Sequence, residues 1–363
     1  MNFIQDYLAE RGRAPGCSDA DGPATCVMLT PRFHASRQVV FLVLPGDRSD
    51  PSIVAKVPRW PAAACSARRE ARNLTAIETR WGAVPTGVPR HLALDTFRGW
   101  PVAVQTALVG RALDQATLRR APDEWCAAVG SWLTGLRPPG PPGDGGTGSR
   151  SAEVFARLVE PPLGRLAEAF GATGSEAELL RRTRDLVEPL RGAGLPLVVE
   201  HGDFSPPNVM RLRDDTIGAV DWELAEVEGL PATDLFFFLT TVAFARRRAT
   251  RTGDQVHAFE RAFFGPAAWA GPHAARYAER IGLGREWLTP LFVATWPRYV
   301  AGLLERHGAT TPETLDWLRG NRYVALWRYA VTHAETALLS AGIPPSQASA
   351  SSDRPRRRGE VDP

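Results

Sequence analysis

The segment PLVVEHGDFSPPNVMRLRDDTIGAVDWE (196–223) carries three oxygen-bearing side chains at a spacing that suits chemistry. Asp203 follows a short apolar run, Asn208 comes five positions later, and Asp221 ends the next apolar run. A strand, a short loop and a hairpin would bring all three to one end of two neighbouring strands. Asp and Asn oxygens suit Mg²⁺, which leaves positions open for phosphate oxygens, and a carboxylate within reach can take a proton from a hydroxyl. Each residue alone is also an ordinary turn former or strand end, but together they indicate a metal-assisted reaction at a hydroxyl.

Lysine occurs once in this sequence, at Lys56, whereas the other 42 of the 43 basic residues are arginine. Arginine can serve as a generic surface cation, but it cannot replace a compact ammonium on a flexible stem where a site needs a point charge. Lys56 lies in the apolar run SIVAKVP, which predicts a strand. Composition alone leaves open whether this lysine is a chance survivor or a site residue.

The motifs HGDFSPPNV and AVDWE resemble the catalytic loop and the metal-binding segment of the aminoglycoside phosphotransferase and choline-kinase family, relatives of the protein kinases. The resemblance implies ATP and Mg²⁺ as cofactors, Asp203 as the catalytic base, and Asn208 and Asp221 as metal ligands. It also requires a lysine on the third strand and a glutamate on the helix that follows. The only lysine of the chain, Lys56, stands on the predicted third strand.

Glu70 is the candidate for that glutamate, on a predicted helix over 62–81. Positions i−3, i+4, i+7 and i+11 from it are apolar: Ala67, Leu74, Ile77 and Trp81. The same helical phase places three polar residues on the outer face: Arg69, Asn73 and Arg80. An inward carboxylate is costly unless it meets a cation, so Lys56 is its expected partner, and a solvated glutamate at the edge of the face is the alternative. In the family this pair directs the lysine onto the α- and β-phosphates of ATP.

The strand PVAVQTALVGR (101–111) fits the hinge between two lobes, where the resemblance implies that adenine bonds the Gln105 carbonyl and the Ala107 N–H. One departure concerns the loop TPRFHASR (30–37), which contains no glycine. Protein kinases use glycines there so that backbone N–H groups can approach the phosphates. ATP affinity and the choice between ATP and GTP are therefore left open.

Three further polar residues lie in or near the motifs. We expect His201 to brace the catalytic loop, and Asp234 to be a structural cap or hydrogen-bond acceptor. Glu223 is left open between supporting the metal and facing the substrate.

The pattern of apolar residues predicts a two-lobed, protein-kinase-like α+β fold. Residues 1–107 form a nucleotide-binding lobe with a small antiparallel sheet, 108–345 form a mostly helical lobe with the catalytic loop and substrate site, and 346–363 form a disordered tail. The predicted strands are 24–30, 38–44, 52–58, 90–96, 101–107, 196–200 and 216–221. The predicted helices are 2–11, 62–81, 122–136, 151–171, 175–192 and several between 232 and 340.

Composition excludes several classes of protein. The chain has 44% hydrophobic and 23% charged residues, which is the composition of an ordinary globular protein. Its formal charge of +3 is too small to indicate a nucleic-acid or membrane partner. The four cysteines form no CxxC pair and predict reduced thiols in a cytoplasmic protein. The most apolar run, at 235–245, is about half a membrane span and predicts a buried helix.

The phosphate acceptor is not identified by the sequence. Residues 222–340 hold 12 acidic residues and 13 arginines, so no acidic cleft for a polycation is visible, and arginines cluster at 246–251. Aromatic residues are frequent there and could line a pocket: Trp269, Trp287, Trp296, Tyr299, Trp317, Tyr323 and Trp327. The favoured acceptor is a small-molecule hydroxyl on an antibiotic sugar, an amino alcohol or a natural-product intermediate. The alternatives are a Ser/Thr of a peptide precursor, or a catalytically silent kinase-like binding or regulatory protein.

Overall fold

A computed structural model describes residues 2–11, 24–29, 37–46, 48–138, 148–171, 173–308 and 310–337 of the chain. Predictions for the glycine-free loop at 30–36 and for the tail at 346–363 lie outside these residues.

The first hundred residues form a five-stranded antiparallel sheet with two helices. Its strands are β1 (Thr25–Leu29), β2 (Gln38–Leu44), β3 (Ile53–Pro58), β4 (His91–Phe97) and β5 (Trp100–Thr106), in the order β1-β2-β3-β5-β4. The helices are α1 (Phe3–Arg11) and α2 (Ala64–Trp81). Lys56 lies on the central strand β3, paired with Val40 of β2 and Ala103 of β5.

Alternation along the strands gives this sheet two faces with different roles. Phe41 and Val43 of β2 and Ile53 of β3 pack against Ile4 and Tyr7 of α1 in a small apolar core. The intervening residues of the same strands face a cleft instead: Gln38, Val40, Leu42, Val54 and Lys56. The sheet thus buries one face in its own core and presents Lys56 on the other.

Helix α2 follows the predicted phase and ends where glycine permits a reversal. Ala67, Glu70, Leu74 and Ile77 are buried on one face. The helix stops at Gly82, whose φ of 70° is left-handed, a conformation that glycine adopts without steric cost at a helix C-terminus.

Five short strands and eleven helices, among the described residues, make up the rest. The strands are β6 (Gly110–Ala112), β7 (Val198–Glu200), β8 (Val209–Leu212), β9 (Ile217–Ala219) and β10 (Glu226–Gly229). They pair as a three-stranded sheet β6-β8-β9 and a two-stranded ladder β10-β7. The sequence indicates no range for β6, β8 or β10, although it predicts a hairpin before Asp221, because runs of three or four mixed residues carry no clear period of two.

The helices of this part are α3 (Gln115–Arg120), α4 (Pro122–Thr134), α5 (Gly148–Leu158), α6 (Glu160–Phe170), α7 (Ser175–Val187), α8 (Thr233–Arg247), α9 (Thr252–Phe263), α10 (Ala270–Ile281), α11 (Leu288–His307), α12 (Pro312–Arg319) and α13 (Arg322–Thr332). The single helix predicted over 151–171 is two helices, broken around Val159. Pro161 and Pro162 follow at the start of α6, where missing N–H groups are tolerated. The helix predicted over 175–192 ends at Val187 and continues as a 3₁₀ turn over Glu188–Gly192.

The apolar run at 235–245 forms the buried helix that was predicted. Nearly every residue of α8 is buried in one large apolar core. Within the part of the chain that is described, no helix is both long and apolar enough to cross a membrane.

Candidate active site

A cleft of about 1080 Å³ lies between the five-stranded sheet and the helical lobe. Of the seven residues to which the resemblance assigns a site role, five line it: Lys56, Gln105, Asp203, Asn208 and Asp221. Glu223, whose role was left open, lines it too. Glu70 lies behind Lys56 and reaches the cleft only through it, whereas Ala107 does not line the cleft. Residues from β3, the β7–β8 loop and the end of β9 thus meet in one place.

Lys56 and Glu70 form the buried ion pair that the helical phase of α2 predicted. Lys56 Nζ lies 2.7 Å from both carboxylate oxygens of Glu70, and the two residues are 6% and 1% exposed. The same ammonium also lies 3.1 Å from Oδ1 of Asp221. One cation therefore joins the sheet, α2 and the segment after β9.

Charge around this cation favours the ionised forms of Lys56 and Asp221, whereas burial raises the pKa of Glu70. Burial alone would lower the pKa of Lys56, but the carboxylates of Asp221 and Glu70 more than reverse this and hold it above its ordinary value. The nearby Lys56 ammonium lowers the pKa of the half-exposed Asp221 carboxylate, although desolvation acts in the opposite direction. Asp221 is therefore a carboxylate at neutral pH, as a metal ligand must be.

Helix α2 also binds the backbone that follows Asp221. The Trp222 N–H donates to Glu70 Oε1 at 3.3 Å, and Asn73 Nδ2 donates to the carbonyls of Trp222 and Glu223 at 2.9 and 3.3 Å. The prediction that Asn73 faces outward was therefore wrong, because this amide is only 8% exposed and satisfies two carbonyls of the Asp221 segment.

Asp221 itself has a φ of 73°, which is rare for a residue other than glycine. Its neighbour Val220 donates its N–H to the Asn208 carbonyl at 2.9 Å, and the bonds from α2 hold the residues on the other side. Surroundings that fix both flanks of a strained residue are typical of functional sites.

Asp234, at the start of α8, binds the backbone of the loop that carries Asp203. The His201 N–H donates to Asp234 Oδ2 at 2.6 Å, and the Gly202 N–H donates to Oδ1 at 3.1 Å. Asp234 is thus the structural acceptor that was expected. Burial, reinforced by the charge of Glu200, raises its pKa to about 7.

Gly202 is required by both conformation and space. Its φ is 80°, and a Cβ there would lie 2.5 Å from the carbonyl oxygen of Leu224. The sequence HGD therefore has glycine where the loop passes closest to the segment after Asp221.

His201 braces the loop as a neutral imidazole. Burial lowers its pKa. Its Nε2 lies 2.9 Å from the Val220 carbonyl, which can only accept, and its Nδ1 accepts the Asp203 N–H at 3.3 Å. The proton is therefore on Nε2, and the ring links the Asp203 loop to the strand that ends at Asp221.

The Asp203 carboxylate is oriented by two side chains. Asn208 Nδ2 donates to the Asp203 carbonyl at 3.0 Å and to Oδ2 at 3.3 Å. The Tyr299 hydroxyl, from α11, donates to Oδ1 at 3.2 Å. Burial raises the pKa of Tyr299 well above its ordinary value, so that hydroxyl remains a donor.

Tyr299 belongs to the aromatic set noted in the sequence, but its contact with Asp203 was not foreseen. Its ring stacks on Phe237 at 3.9 Å between centroids and lies 5.4 Å from Tyr323. Trp296 and Trp327, by contrast, are fully buried in the core. The sequence pattern does not distinguish aromatic residues near Asp203 from those of the core, because both kinds lie on helices of one lobe.

The hinge differs from its predicted geometry. Gln105 lines the cleft, but the Ala107 N–H donates to the Ser52 carbonyl at 2.9 Å within the sheet. Ala107 therefore cannot offer that N–H to a base, and the predicted contact is wrong because the pairing of β5 with β3 continues to Ser52, the residue before β3. Thr106 and Leu108 on either side line the cleft.

A buried ion pair beside the loop was also missed. Arg298 Nη1 and Nη2 donate to Glu200 at 2.6 and 3.0 Å, and Glu200 is 2% exposed. The pair links β7 to α11. Strand β7 leads into the Asp203 loop, and α11 carries Tyr299. A charged residue ending the apolar run PLVVE was the available signal.

The arginine cluster at 246–251 does not line the cleft. Arg246 pairs with Asp123 at 3.1 Å and lies over the Trp269 ring at 4.7 Å. The arginine cluster therefore does not indicate the charge of the acceptor.

Comparison with known proteins identifies the family and the fold. The sequence matches the phosphotransferase enzyme family over residues 32–276, about two thirds of the chain. No curated protein matches it. Three similar solved structures each have a TM-score of 0.50. A thermostable mutant of aminoglycoside phosphotransferase APH(4)-Ia, with ADP and hygromycin B, is 16% identical and covers 90% of this chain and 98% of its own. Plasmodium vivax ethanolamine kinase is 12% identical and covers 85% and 83%, and a Haemophilus somnus 129PT protein described as a fructosamine-3-kinase is 15% identical and covers 91% and 96%, in the same order.

At such identities the structural likeness shows the fold, and it confirms the two-lobed, protein-kinase-like α+β architecture. The family match covers the strand of Lys56, helix α2, the Asp203 loop and Asp221. The chain belongs to the phosphotransferase enzyme family.

Proposed function

We propose that this protein transfers the γ-phosphoryl group of ATP to a hydroxyl of a small molecule, with Mg²⁺ as the metal. The observation that carries the proposal is the convergence on one cleft of Lys56, held by Glu70, with Asp203, Asn208 and Asp221. A cation for phosphates, two oxygen ligands for a metal and a carboxylate for a hydroxyl proton are the parts that phosphoryl transfer needs.

The nucleotide would lie with its base at the hinge and its phosphates at Lys56. Apolar side chains of β2, β3 and β8 line this end of the cleft: Val40, Leu42, Val54 and Met210. Because Ala107 is engaged in the sheet, we assign the base contact to the Leu108 N–H, which finds no acceptor among the described residues. The ADP bound to the aminoglycoside phosphotransferase with this fold supports a nucleotide site.

The residues at the cleft fit a hard divalent cation. Lys56 engages only Oδ1 of Asp221, and Asn208 uses its Nδ2 toward Asp203, so Asp221 Oδ2 and Asn208 Oδ1 remain as ligands. The described residues contain no cluster of three or more His, Cys, Asp or Glu that could hold a metal, and phosphate oxygens would complete the shell. When bound, Mg²⁺ supplies charge neutralisation between the β- and γ-phosphates.

Asp203 would act as the general base. As the acceptor oxygen forms its bond to the γ-phosphorus, its proton passes to Asp203 and the bond from that phosphorus to the β–γ bridging oxygen breaks, releasing ADP. Tyr299 and Asn208 each hold one carboxylate oxygen, which fixes the direction in which the base points. His201 keeps the loop in place and stays neutral.

We further propose the division at residues 107 and 108, with the nucleotide-binding lobe before it and the helical lobe of 108–345 after it. Two apolar cores support this division: one lies wholly within the first part, and the other fills the helical lobe and is joined from the first part by Leu74, Ile77 and Val88. Use of ATP favours a cytoplasmic location.

The test is turnover of ATP with Mg²⁺ in the presence of a panel of hydroxyl compounds and Ser/Thr peptides, with Asp203→Asn as the inactive control. We expect acceptor-dependent ADP release that the control lacks. Nucleotide binding without turnover of any acceptor would instead support a catalytically silent protein, and peptide turnover alone would replace the small-molecule acceptor.

A further inference from the structure

Gln38, the first residue of β2, has an amide that nothing satisfies. Its Oε1 and Nε2 are both buried and neither has a hydrogen-bond partner among the described residues, although the side chain lines the cleft. The other buried polar side-chain atoms in this condition, Thr233 Oγ1 and Trp296 Nε1, do not line the cleft. Buried amides are nearly always hydrogen-bonded in folded proteins, so this one indicates a ligand.

The sheet register fixes where this amide lies. Val40 pairs with Lys56, and Gln38 pairs with Pro58, two residues further along β3. Side chains two apart share a face, so Gln38 lies beside Lys56 on the cleft face, roughly 6–7 Å further from the hinge. The hinge is at the other end of β3, where Ser52 meets Ala107.

A nucleotide placed as proposed would therefore bring its terminal phosphate to Gln38. With the base at the hinge and the α- and β-phosphates at Lys56, the γ-phosphate continues in the direction of Gln38. The sequence before Gln38, TPRFHASR at 30–37, has no glycine to bring backbone N–H groups to that phosphate. A side-chain amide can donate in their place.

We propose that Gln38 Nε2 donates a hydrogen bond to a γ-phosphate oxygen of ATP. This inference rests on the proposed function, because it requires the nucleotide in this cleft. If Gln38 contacts the γ-phosphate, its loss should weaken binding of ATP and not of ADP. If Gln38 only maintained the shape of the cleft, its loss would weaken both nucleotides equally.

The experiment is calorimetric titration of Gln38→Met and Gln38→Glu with Mg·ATP and Mg·ADP. We expect Gln38→Met to raise the Kd of ATP about 10- to 100-fold, as loss of a hydrogen bond to a charged group would, with the Kd of ADP within about twofold of the wild-type value. Gln38→Glu should weaken ATP further because a carboxylate would face the phosphate. Gln115→Met, at an exposed glutamine of α3 away from the cleft, is the matched control.

Melting of the nucleotide-free variants separates binding from folding. Gln38→Met removes an unsatisfied amide, so its Tm should equal or exceed that of the wild type. Equal weakening of ATP and ADP, or no weakening of ATP in either variant, would overturn the role of Gln38. A wild-type protein that binds neither nucleotide would instead refute the proposed function.

A second observation, independent of Gln38, concerns charge at the Asp203 end of the cleft. Arg306 lines the cleft on α11, seven residues after Tyr299, which is two helical turns and about 10 Å along the same face. It is exposed and has no ion-pair partner among the described residues. Of the other cleft cations, Lys56 and Arg213 are paired with Glu70 and Asp50, whereas Arg37 and Arg111 also have no ion-pair partner among those residues.

The carboxylates of the cleft do not favour a polycation. Asp203 and Asp221 have roles in the transfer, and Asp50 is paired with Arg213. Glu223 is the remaining one. It also lines an adjoining crevice with three arginines and two further glutamates: Arg69, Arg72, Arg157, Glu226 and Glu228.

We infer that the acceptor carries an anionic group, a carboxylate or a phosphate monoester, bound by Arg306 while its hydroxyl meets Asp203. A guanidinium pairs with either group through two parallel hydrogen bonds. The inference rests on the proposed function and adds the chemical class of its substrate.

Matched acceptors test it: a short hydroxy acid, its amide and the amino alcohol of equal length, and a sugar phosphate with its free sugar. We expect turnover of an anionic member, with the two anionic arms showing which group is bound. Arg306→Gln should raise the KM of that acceptor about 10- to 100-fold and leave the KM of ATP unchanged, and Arg306→Lys should restore part of the loss. Arg247→Gln, at an exposed arginine outside the cleft, is the control.

Preference for the amide, the amino alcohol or the free sugar would overturn the inference. So would an equal rise in the KM of ATP in Arg306→Gln, since that would place the arginine on the nucleotide. Absence of acceptor turnover while ATP is still hydrolysed at a basal rate would also count against it, and loss of nucleotide binding altogether would instead refute the proposed function.

Discussion

Replacing Lys56 by arginine keeps a positive charge and changes only its shape, which makes it the sharpest test of the phosphate site. The ammonium lies between Glu70 at 2.7 Å and Asp221 at 3.1 Å, and the residue is 6% exposed. A guanidinium is planar and larger, and it prefers to pair with one carboxylate through two parallel bonds. It would take Glu70 in this way and displace either Asp221 or the phosphates.

The expected loss in kcat/KM is at least ~100-fold, which corresponds to about 2.7 kcal/mol of transition-state stabilisation. Overpacking of a buried position adds about 1–3 kcal/mol of strain. The fold should survive because Glu70 still faces a cation. Lys56→Met should be far less stable, by about 3–5 kcal/mol, since it leaves the buried Glu70 carboxylate without a partner.

The assay is steady-state kinetics of Lys56→Arg and Glu70→Gln beside urea unfolding of both and of Lys56→Met. Glu70→Gln should be milder in kcat/KM than Lys56→Arg, because it loosens the lysine without replacing it. A folded Lys56→Arg enzyme with near-normal kcat/KM would refute the assignment of Lys56 to the phosphates. Equal stability of Lys56→Arg and Lys56→Met would refute the account of the buried pair.

Asp203→Asn should lower kcat at least ~100-fold with nucleotide binding retained, as measured by single-turnover kinetics and calorimetry. Asp221→Ala should remove the Mg²⁺ dependence of nucleotide binding, and an unchanged dependence would contradict the metal assignment. Gly202→Ala should destabilise the protein by about 1–3 kcal/mol in urea, because its φ is 80° and a Cβ would meet Leu224. Burial lowers the pKa of His201 below 6.5, so the unfolded chain binds its proton more tightly and stability should fall as pH drops below about 6.5. A His201→Gln variant should show a shallower fall in Tm, and an equally steep one would exclude His201 as the cause.

The residues of the site could be predicted from sequence where their chemistry depends on local spacing. HGD and Asn208 lie on one loop, and Asp221 follows one hairpin later, so the spacing alone brings them near each other. The phase of α2 placed Glu70 inward, and the single lysine stood out against an arginine-rich background. Helix and strand positions followed from periods that each extend over several residues.

What the sequence missed depends on contacts between distant elements. Asn73 has the spacing of an outward residue, yet it satisfies two carbonyls that come from about 150 positions later. The Ala107 N–H is engaged by the carbonyl of Ser52, a partner from another strand that the pattern of one strand does not show. Tyr299 reaches Asp203 only because α11 packs beside α8, and helical periodicity cannot distinguish that face from the core.

Helix α2 emerges as the element that couples the two halves of the site. Its Glu70 holds both the Lys56 ammonium and the Trp222 N–H, and its Asn73 holds the next two carbonyls. A displacement of α2 would therefore move the phosphate cation and the Asp221 backbone together, because the same helix binds both. Such a displacement would move Lys56 away from the phosphates and Asp221 away from the metal at the same time. Substitutions on this face of α2 should therefore affect phosphate binding and metal dependence to a similar degree.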